Sequence, residues 1–127
     1  KKNHNFIRRK NINIILDEKQ SSNGAVILSA NGFIDTSTSS AFEEKIKKFY
    51  SENKTKIVLD LSKTEFISSA GWGIMIAYLK RMRNNGGDIR LASMTENVEK
   101  VFKLMEFDNL IDSYKSVDEA VKSYKDI

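Results

Sequence analysis

The sequence contains no cysteine. Disulfides, thiolate zinc sites, iron–sulfur clusters and a cysteine nucleophile are therefore excluded. It contains one histidine, His4, in a polar leader. A Ser-His-Asp hydrolase or a histidine-built metal site is excluded with it, because the body has no imidazole to serve as base or ligand. No apolar run approaches the roughly 18 residues of a membrane-spanning helix. The basic first residues are not followed by the apolar stretch of a signal peptide. Gly71-Trp72-Gly73 gives Gly-x-Gly without a third glycine, and no phosphate-loop pattern occurs. Gly-x-Ser-x-Gly is missing, and no carboxylates have the spacing of a calcium loop. The expectation from these absences is a cytoplasmic protein that spans no membrane, is not an enzyme, and has no cofactor and no metal.

What is present fits one soluble domain. A chain of 127 residues is long enough to bury a core without covalent staples. Hydrophobic residues make up 40% and charged residues 30%, as in ordinary globular proteins. The net charge of +4 divides unevenly: residues 1–10 carry Lys1, Lys2, Arg8, Arg9 and Lys10 with no acid, and the remainder sums to −1. Residues 1–10 are read as a basic leader or linker and residues 11–127 as the domain. A nucleic-acid binder places a basic face on the domain itself, so no nucleic-acid partner is expected. The leader is read as solvated chain, with contact to an anionic partner or membrane surface as the alternative. The chain starts at Lys1 rather than methionine, and its natural start is expected to lie elsewhere.

Strand and helix patterns alternate along the body. Residues 11–16 read as a first strand, 17–24 as a polar turn, and 25–30 as a second strand that continues through Phe33-Ile34 to Asp35. Five hydroxyl residues, Thr36 to Ser40, open a helix; Ser40 with Glu43 fits a capping box, with a start a few residues earlier as the alternative, and Phe42, Ile46 and Phe49 form one apolar face. Ile57 to Leu61 reads as a strand covered on both faces. Ser62 to Glu65 is polar. Trp72, Met75, Leu79 and Met82 mark the core stripe of a second helix, which Asn84-Asn85-Gly86-Gly87 stops. Asp88 to Ala92 is the next strand. Thr95 caps a helix bearing Val98, Val101, Phe102 and Met105, and Asn109 to Tyr114 forms a short last strand. Ser116 with Glu119 opens a final helix with Ala120, Val121 and Tyr124 inward. This order implies an α/β fold with parallel pairing, a mixed sheet of four or five strands and about four helices.

Asp35 and Asp60 each close an apolar strand, which suits a strand end meeting solvent or capping a helix. The segment Ile67-Ser68-Ser69-Ala70-Gly71 leaves a strand and enters an apolar helix. One reading is capping alone, with Ser68 or Ser69 accepting from first-turn N–H groups. The other is phosphorylation, since a phosphate there would meet helix N–H donors and a favourable dipole.

These residues carry a family resemblance. Val58-Leu59-Asp60-Leu61 followed by Phe66-Ile67-Ser68-Ser69-Ala70-Gly71-Trp72-Gly73 resembles the strand, Asp-Ser-Ser/Thr-Gly-Leu-Gly loop and helix of STAS domains in bacterial anti-sigma factor antagonists. Asn31-Gly32-Phe33-Ile34-Asp35 is similar to the turn before their first helix, and Asn85-Gly86-Gly87 before Ile89-Arg90-Leu91 to their Gly-Gly before a strand. Phe102 to Phe107 is similar to their late helix. The resemblance spans about residues 12 to 125. It implies a partner-switching protein that binds an anti-sigma factor, itself a serine kinase, and so frees a sigma factor. Phosphorylation of the loop serine releases the complex, and a serine phosphatase reverses it. By position the acceptor is Ser69, with Ser68 the alternative. Asp35, Ser68, Ser69, Ala70, Gly71, Trp72 and Met75 are the expected partner-binding residues. Trp72 also reads as core. Three residues depart from the family pattern: Ser68 stands for the loop Asp, Ala70 for the second hydroxyl residue, and Trp72 for Leu. The second expectation is a constitutive adaptor domain that docks a larger signalling or transport assembly without phosphorylation. A nucleotide hydrolase, lacking a phosphate loop and a usable base, is set aside.

Overall fold

A computed structural model describes residues 14–124. The basic leader and residues 11–13 of the first expected strand lie outside the described residues. The elements run β1 (Ile14–Gln20), β2 (Val26–Ile34), α1 (Ser39–Ser51), β3 (Lys56–Asp60), β4 (Thr64–Ile67), α2 (Ser69–Asn84), β5 (Asp88–Ala92), α3 (Glu96–Leu104), a 3-10 turn (Phe107–Asn109), β6 (Ser113–Tyr114) and α4 (Val117–Lys122). The α/β class and the four helices among the described residues agree with the sequence reading. Among those residues the sheet has six strands, one more than the upper expectation.

The extra strand is β4, in a stretch whose first residues read as polar linker. β2 is nine residues long, so it can pair with two short strands in turn. Its first half runs parallel to β3, from Val26 opposite Ile57 to Ser29 opposite Asp60. Its second half runs parallel to β4, from Gly32 opposite Thr64 to Ile34 opposite Ile67. β3 and β4 thus share one lane. Ser62 and Lys63 loop out between them, and Gly32 N–H donates to the Lys63 carbonyl at 2.9 Å. Thr64 is buried and its hydroxyl donates to the Ala30 carbonyl. β5 joins β3 and β6 joins β5 in parallel, while β1 is antiparallel to β2 at the opposite edge. β1 continues to Gln20, through residues that read as a turn, because cross-strand pairing with Val26 outweighs their low strand propensity.

Alternating side chains divide the core between the two faces. Val26, Leu28, Ala30, Ile57, Leu59 and Leu61 meet α1, α2 and α3, which contribute Phe42, Ile46, Phe49, Met75, Leu79, Met82 and Phe102. Ala25, Val58 and Ala92 face the other way and meet Ala120 and Tyr124 at the end that α4 covers. Tyr124 is fully enclosed; its hydroxyl donates to the Ile57 carbonyl at 2.8 Å, and burial pushes its pKa up.

Candidate functional site

β2 and β4 run side by side to the same end of the sheet, and each turns there into a helix. In open α/β sheets, ligands and partners are met at the carboxyl ends of such strands. The site therefore combines the Asp35 turn, the Ser68-Ser69 turn and the start of α2. A direct link joins the two turns: Ser68 N–H donates to the Ile34 carbonyl at 2.8 Å.

Asp35 organises the first turn. Its Oδ1 accepts from Ser37 N–H at 2.9 Å, from the Ser37 hydroxyl at 2.7 Å and from Thr38 N–H at 3.2 Å. The Ser40–Glu43 capping box does not form. Thr38 is the residue that precedes α1, and it makes no side-chain cap bond. Its hydroxyl is buried and donates to the Phe33 carbonyl instead. Asp35 orders the turn before α1, through the Ser37 and Thr38 N–H groups. The Ser37 hydroxyl, followed by the Ser37 and Thr38 N–H groups, holds the Asp35 pKa below the ordinary carboxylate value. A depressed folded pKa means the turn gains stability above the unfolded value, near pH 4, and loses it as pH falls through the lower folded value. An NMR titration should find the Asp35 midpoint below that of a free Asp, with the Ser37 and Thr38 amides moving at the same pH. A midpoint at the free-Asp value would refute the assignment.

Ser68 begins the second turn. It is the N-cap of α2, with extended backbone, and its Oγ accepts from Gly71 N–H at 3.3 Å. Ser69 is the first residue of the helix and is exposed. Its hydroxyl makes no hydrogen bond among the described residues, and the N–H groups of Ser69 and Ala70 have no acceptor there either. A free hydroxyl thus stands beside free N–H donors at the positive end of a sixteen-residue helix.

The glycines flanking Trp72 differ sharply. A Cβ at Gly71 would lie 2.7 Å from Ile34 Cγ2 and 2.9 Å from Ile67 Cγ2, whereas one at Gly73 would meet nothing within 4 Å. Gly71 lets α2 start directly over the ends of β2 and β4. Gly71→Ala should cost about 1–3 kcal/mol by overpacking. Gly73→Ala should gain about 0.5–1 kcal/mol by removing a mid-helix glycine. Urea midpoints that shift in opposite directions for the two variants are the expected result.

Trp72 and Met75 are both buried, though Trp72 reaches the lining of the groove between β4, α2 and α3. Trp72 is 3% exposed and Met75 fully buried, because the stripe at i, i+3 points inward over the sheet. The Trp72 ring stacks on Phe102 at 6.0 Å and on Phe107 at 4.9 Å. Asp35, Ser68, Ser69, Ala70 and Gly71 are brought together as one turn region, with Gly71 buried within it. Asp60 lies farther down the sheet and accepts from Ser29 Oγ and Ser62 N–H.

Sequence reasoning missed a groove beside Ser69. About 390 Å³ in volume, it runs between β4, α2 and α3, and Phe66, Ser69, Gly73, Ile76, Val101 and Met105 line it. Val101 and Met105 read as core from their spacing, yet Met105 is 57% exposed. Phe66 is exposed too and pairs across the strands with exposed Phe33. Two phenylalanines closing adjacent strand patterns were the available signal.

Comparison with known proteins decides the family. The STAS domain family model matches residues 18–120. The chain belongs to the STAS family. This STAS domain is 30% identical over 101 residues to a Thermotoga maritima protein named as an anti-sigma factor antagonist, a match covering 79% of this chain and 89% of that one. Its fold superposes on a crystal structure of such a protein from the same organism with a TM-score of 0.79 at 28% identity, covering 85% of this chain and 92% of the other. It superposes on the anti-sigma factor antagonist SpoIIAA in its unphosphorylated form with a TM-score of 0.75 at 18% identity, over 89% and 98% of the two chains. This second likeness is one of fold alone. Among the described residues no helix is long and apolar enough to cross a membrane.

Proposed function

We propose that this STAS domain is an anti-sigma factor antagonist whose docking face is switched by phosphorylation of Ser69. The observation that carries the reading is the placement of that side chain: exposed, unbonded, at the first position of α2 and on the rim of an apolar groove. The unphosphorylated face binds an anti-sigma factor that is also a serine kinase, and so frees a sigma factor. The kinase transfers the terminal phosphoryl group of ATP to Ser69 Oγ, and a serine phosphatase removes it. The helix tolerates the modification, since the phosphate meets free N–H donors and the positive end of the dipole. The complex does not, because a charge of about −1.5 to −2 must then be desolvated at the centre of the interface. Ser68 stands where the family has aspartate, and it caps α2 through the bond from Gly71 N–H. In this reading the protein acts in the cytoplasm as a binding protein, not an enzyme.

The test uses Ser69→Ala as bait in native cells to capture the anti-sigma factor, then measures affinities of the wild type and two variants. Ser69→Asp should weaken binding at least tenfold, about 1.4 kcal/mol, while Ser69→Ala stays close to wild type. Phosphopeptide mass spectrometry should show Ser69 occupancy that changes between growth and stress. Equal affinity of both variants would sink the switch. An unmodified Ser69 in every condition would leave the constitutive adaptor instead.

A further inference from the structure

The groove between β4, α2 and α3 is walled in part by a polar group that nothing satisfies. The Trp72 indole N–H is buried and has no acceptor among the described residues. Native proteins rarely leave a buried donor unpaired. Trp72 is 3% exposed and belongs to the groove lining. Phe102 and Phe107 pack against the faces of its ring, at 28° and 37° between planes. That leaves the ring edge, which carries Nε1, for the groove. Side chains on a helix lean toward its N-terminus, so the indole lies over the turn that Ser69 begins. The N–H groups of Ser69 and Ala70 also lack acceptors among the described residues, and they stand at that same end.

The rest of the groove has a different character. Phe66, Ile76, Val101 and Met105 line it, and no charged residue does. Phe66 is 46% exposed and Met105 57%, so apolar surface lies open that a bound hydrocarbon would cover. The volume of about 390 Å³ falls within the roughly 300–1,000 Å³ of small-molecule sites. These two parts select one ligand chemistry. Three unpaired donors and the positive end of the α2 dipole favour an anion at the Ser69 end. The uncharged walls reject any further charge, because nothing there would offset its desolvation.

We infer that the groove binds an amphipathic monocarboxylate, a fatty acid of medium chain length. One carboxylate oxygen accepts from Trp72 Nε1, the other accepts from the N–H groups of Ser69 and Ala70, and the hydrocarbon lies along Phe66, Ile76, Val101 and Met105. The bound acid covers Ser69 and competes with whatever docks on that face. The inference goes beyond the phosphorylation switch and does not require it.

The test titrates the isotope-labelled full chain with decanoate, kept below its micelle concentration. Trp72 is the sole tryptophan, so its indole N–H gives a single NMR signal. That signal should move downfield and saturate, as a donor gaining an acceptor does. Decanol, the same length of chain without the charge, should bind at least tenfold more weakly. Trp72→Phe keeps an aromatic ring and removes the donor; it should weaken decanoate at least fivefold and decanol by less. Gly73→Leu fills the groove from a position where a Cβ meets nothing within 4 Å, and it should abolish binding of both. Amide spectra check the fold of each variant. If Trp72→Phe does not fold, the indole shift and Gly73→Leu decide the outcome. An indole signal that stays still at saturation would overturn the proposal. So would decanol binding as tightly as decanoate, Gly73→Leu binding as the wild type does, or a response that begins only when micelles form. Groove amides that ignore decanoate and respond only to the captured anti-sigma factor would assign the groove to that partner and overturn it too. Phosphorylation enters no step, so this inference can fail with the Ser69 switch intact and hold where the switch fails.

Discussion

Gly87→Ala is expected to cost about 3 kcal/mol of folding stability, near the upper end of overpacking effects. A Cβ at Gly87 would sit 1.9 Å from the Thr55 carbonyl oxygen and 2.4 Å from its carbon. Both are backbone atoms, so no rotamer change relieves the clash. The same carbonyl accepts from Asp88 N–H at 2.8 Å in the approach of β5 to β3, and moving it disturbs the central parallel pair. Gly86 provides the control. It has φ +81 and open space around its Cβ position, so Gly86→Ala should cost only the left-handed backbone penalty, about 1–2 kcal/mol. Urea denaturation should show midpoints ordered wild type, Gly86→Ala, Gly87→Ala, with unchanged slopes. A Gly87→Ala protein as stable as Gly86→Ala would refute the close approach.

Asp88→Ala should cost about 3–5 kcal/mol, the range for breaking a buried ion pair from one side. Asp88 is 5% exposed. Its Oδ1 accepts from Arg83 Nε at 2.8 Å and from Ile89 N–H at 2.9 Å, and its Oδ2 accepts from Arg90 Nε at 2.9 Å. Arg90 is the partner that suffers. Its side chain is 15% exposed, its NH1 donates to the Ser123 carbonyl and hydroxyl, and its guanidinium stands 4.1 Å over the Tyr124 ring. Burial alone would lower the Arg90 pKa, but the hydrogen bond to Asp88 and the surrounding charges hold it above its usual value. Without Asp88 that charge stays buried and unneutralised. Arg83 is half exposed and can turn to water, which places the loss toward the lower end of the range. Thermal unfolding should show the drop, with little relief from added salt because the pair is shielded from counterions. Both substitutions lie at the opposite end of the strands from Ser69. A folded fraction of either variant should therefore bind its partner as the wild type does.

How legible the sequence was depended on where side chains point. Helices were read well because their apolar faces repeat over several turns, and Ser68, Thr95 and Ser116 all serve as helix caps. The α1 cap was misread because five adjacent hydroxyl residues offer several local solutions. The helix starts one residue before Ser40, after a turn that Asp35 holds through the Ser37 and Thr38 N–H groups. β4 escaped because four residues, with a buried Thr64 and two exposed side chains between it and Ile67, carry too little periodicity to read. What makes them a strand is the spare length of β2 beside them. The groove escaped for a related reason. Val101 and Met105 have core spacing, but α3 ends at Leu104 and leaves its last turn partly uncovered. The fold was legible from local patterns; the groove depends on where unlike elements end relative to one another.

Trp72 has a consequence for spectroscopy. It is the sole tryptophan of the chain, one helical turn from Ser69, and its ring rests on Phe102 and Phe107. Its indole N–H is buried and lacks an acceptor among the described residues, an environment that gives blue-shifted emission. Light absorbed by this chain beyond the tyrosine band is therefore emitted from Trp72, close to Ser69, and nowhere else. The protein carries its own optical probe one helical turn from Ser69, and the proposed phosphorylation and docking can be timed there by stopped flow without attaching a dye.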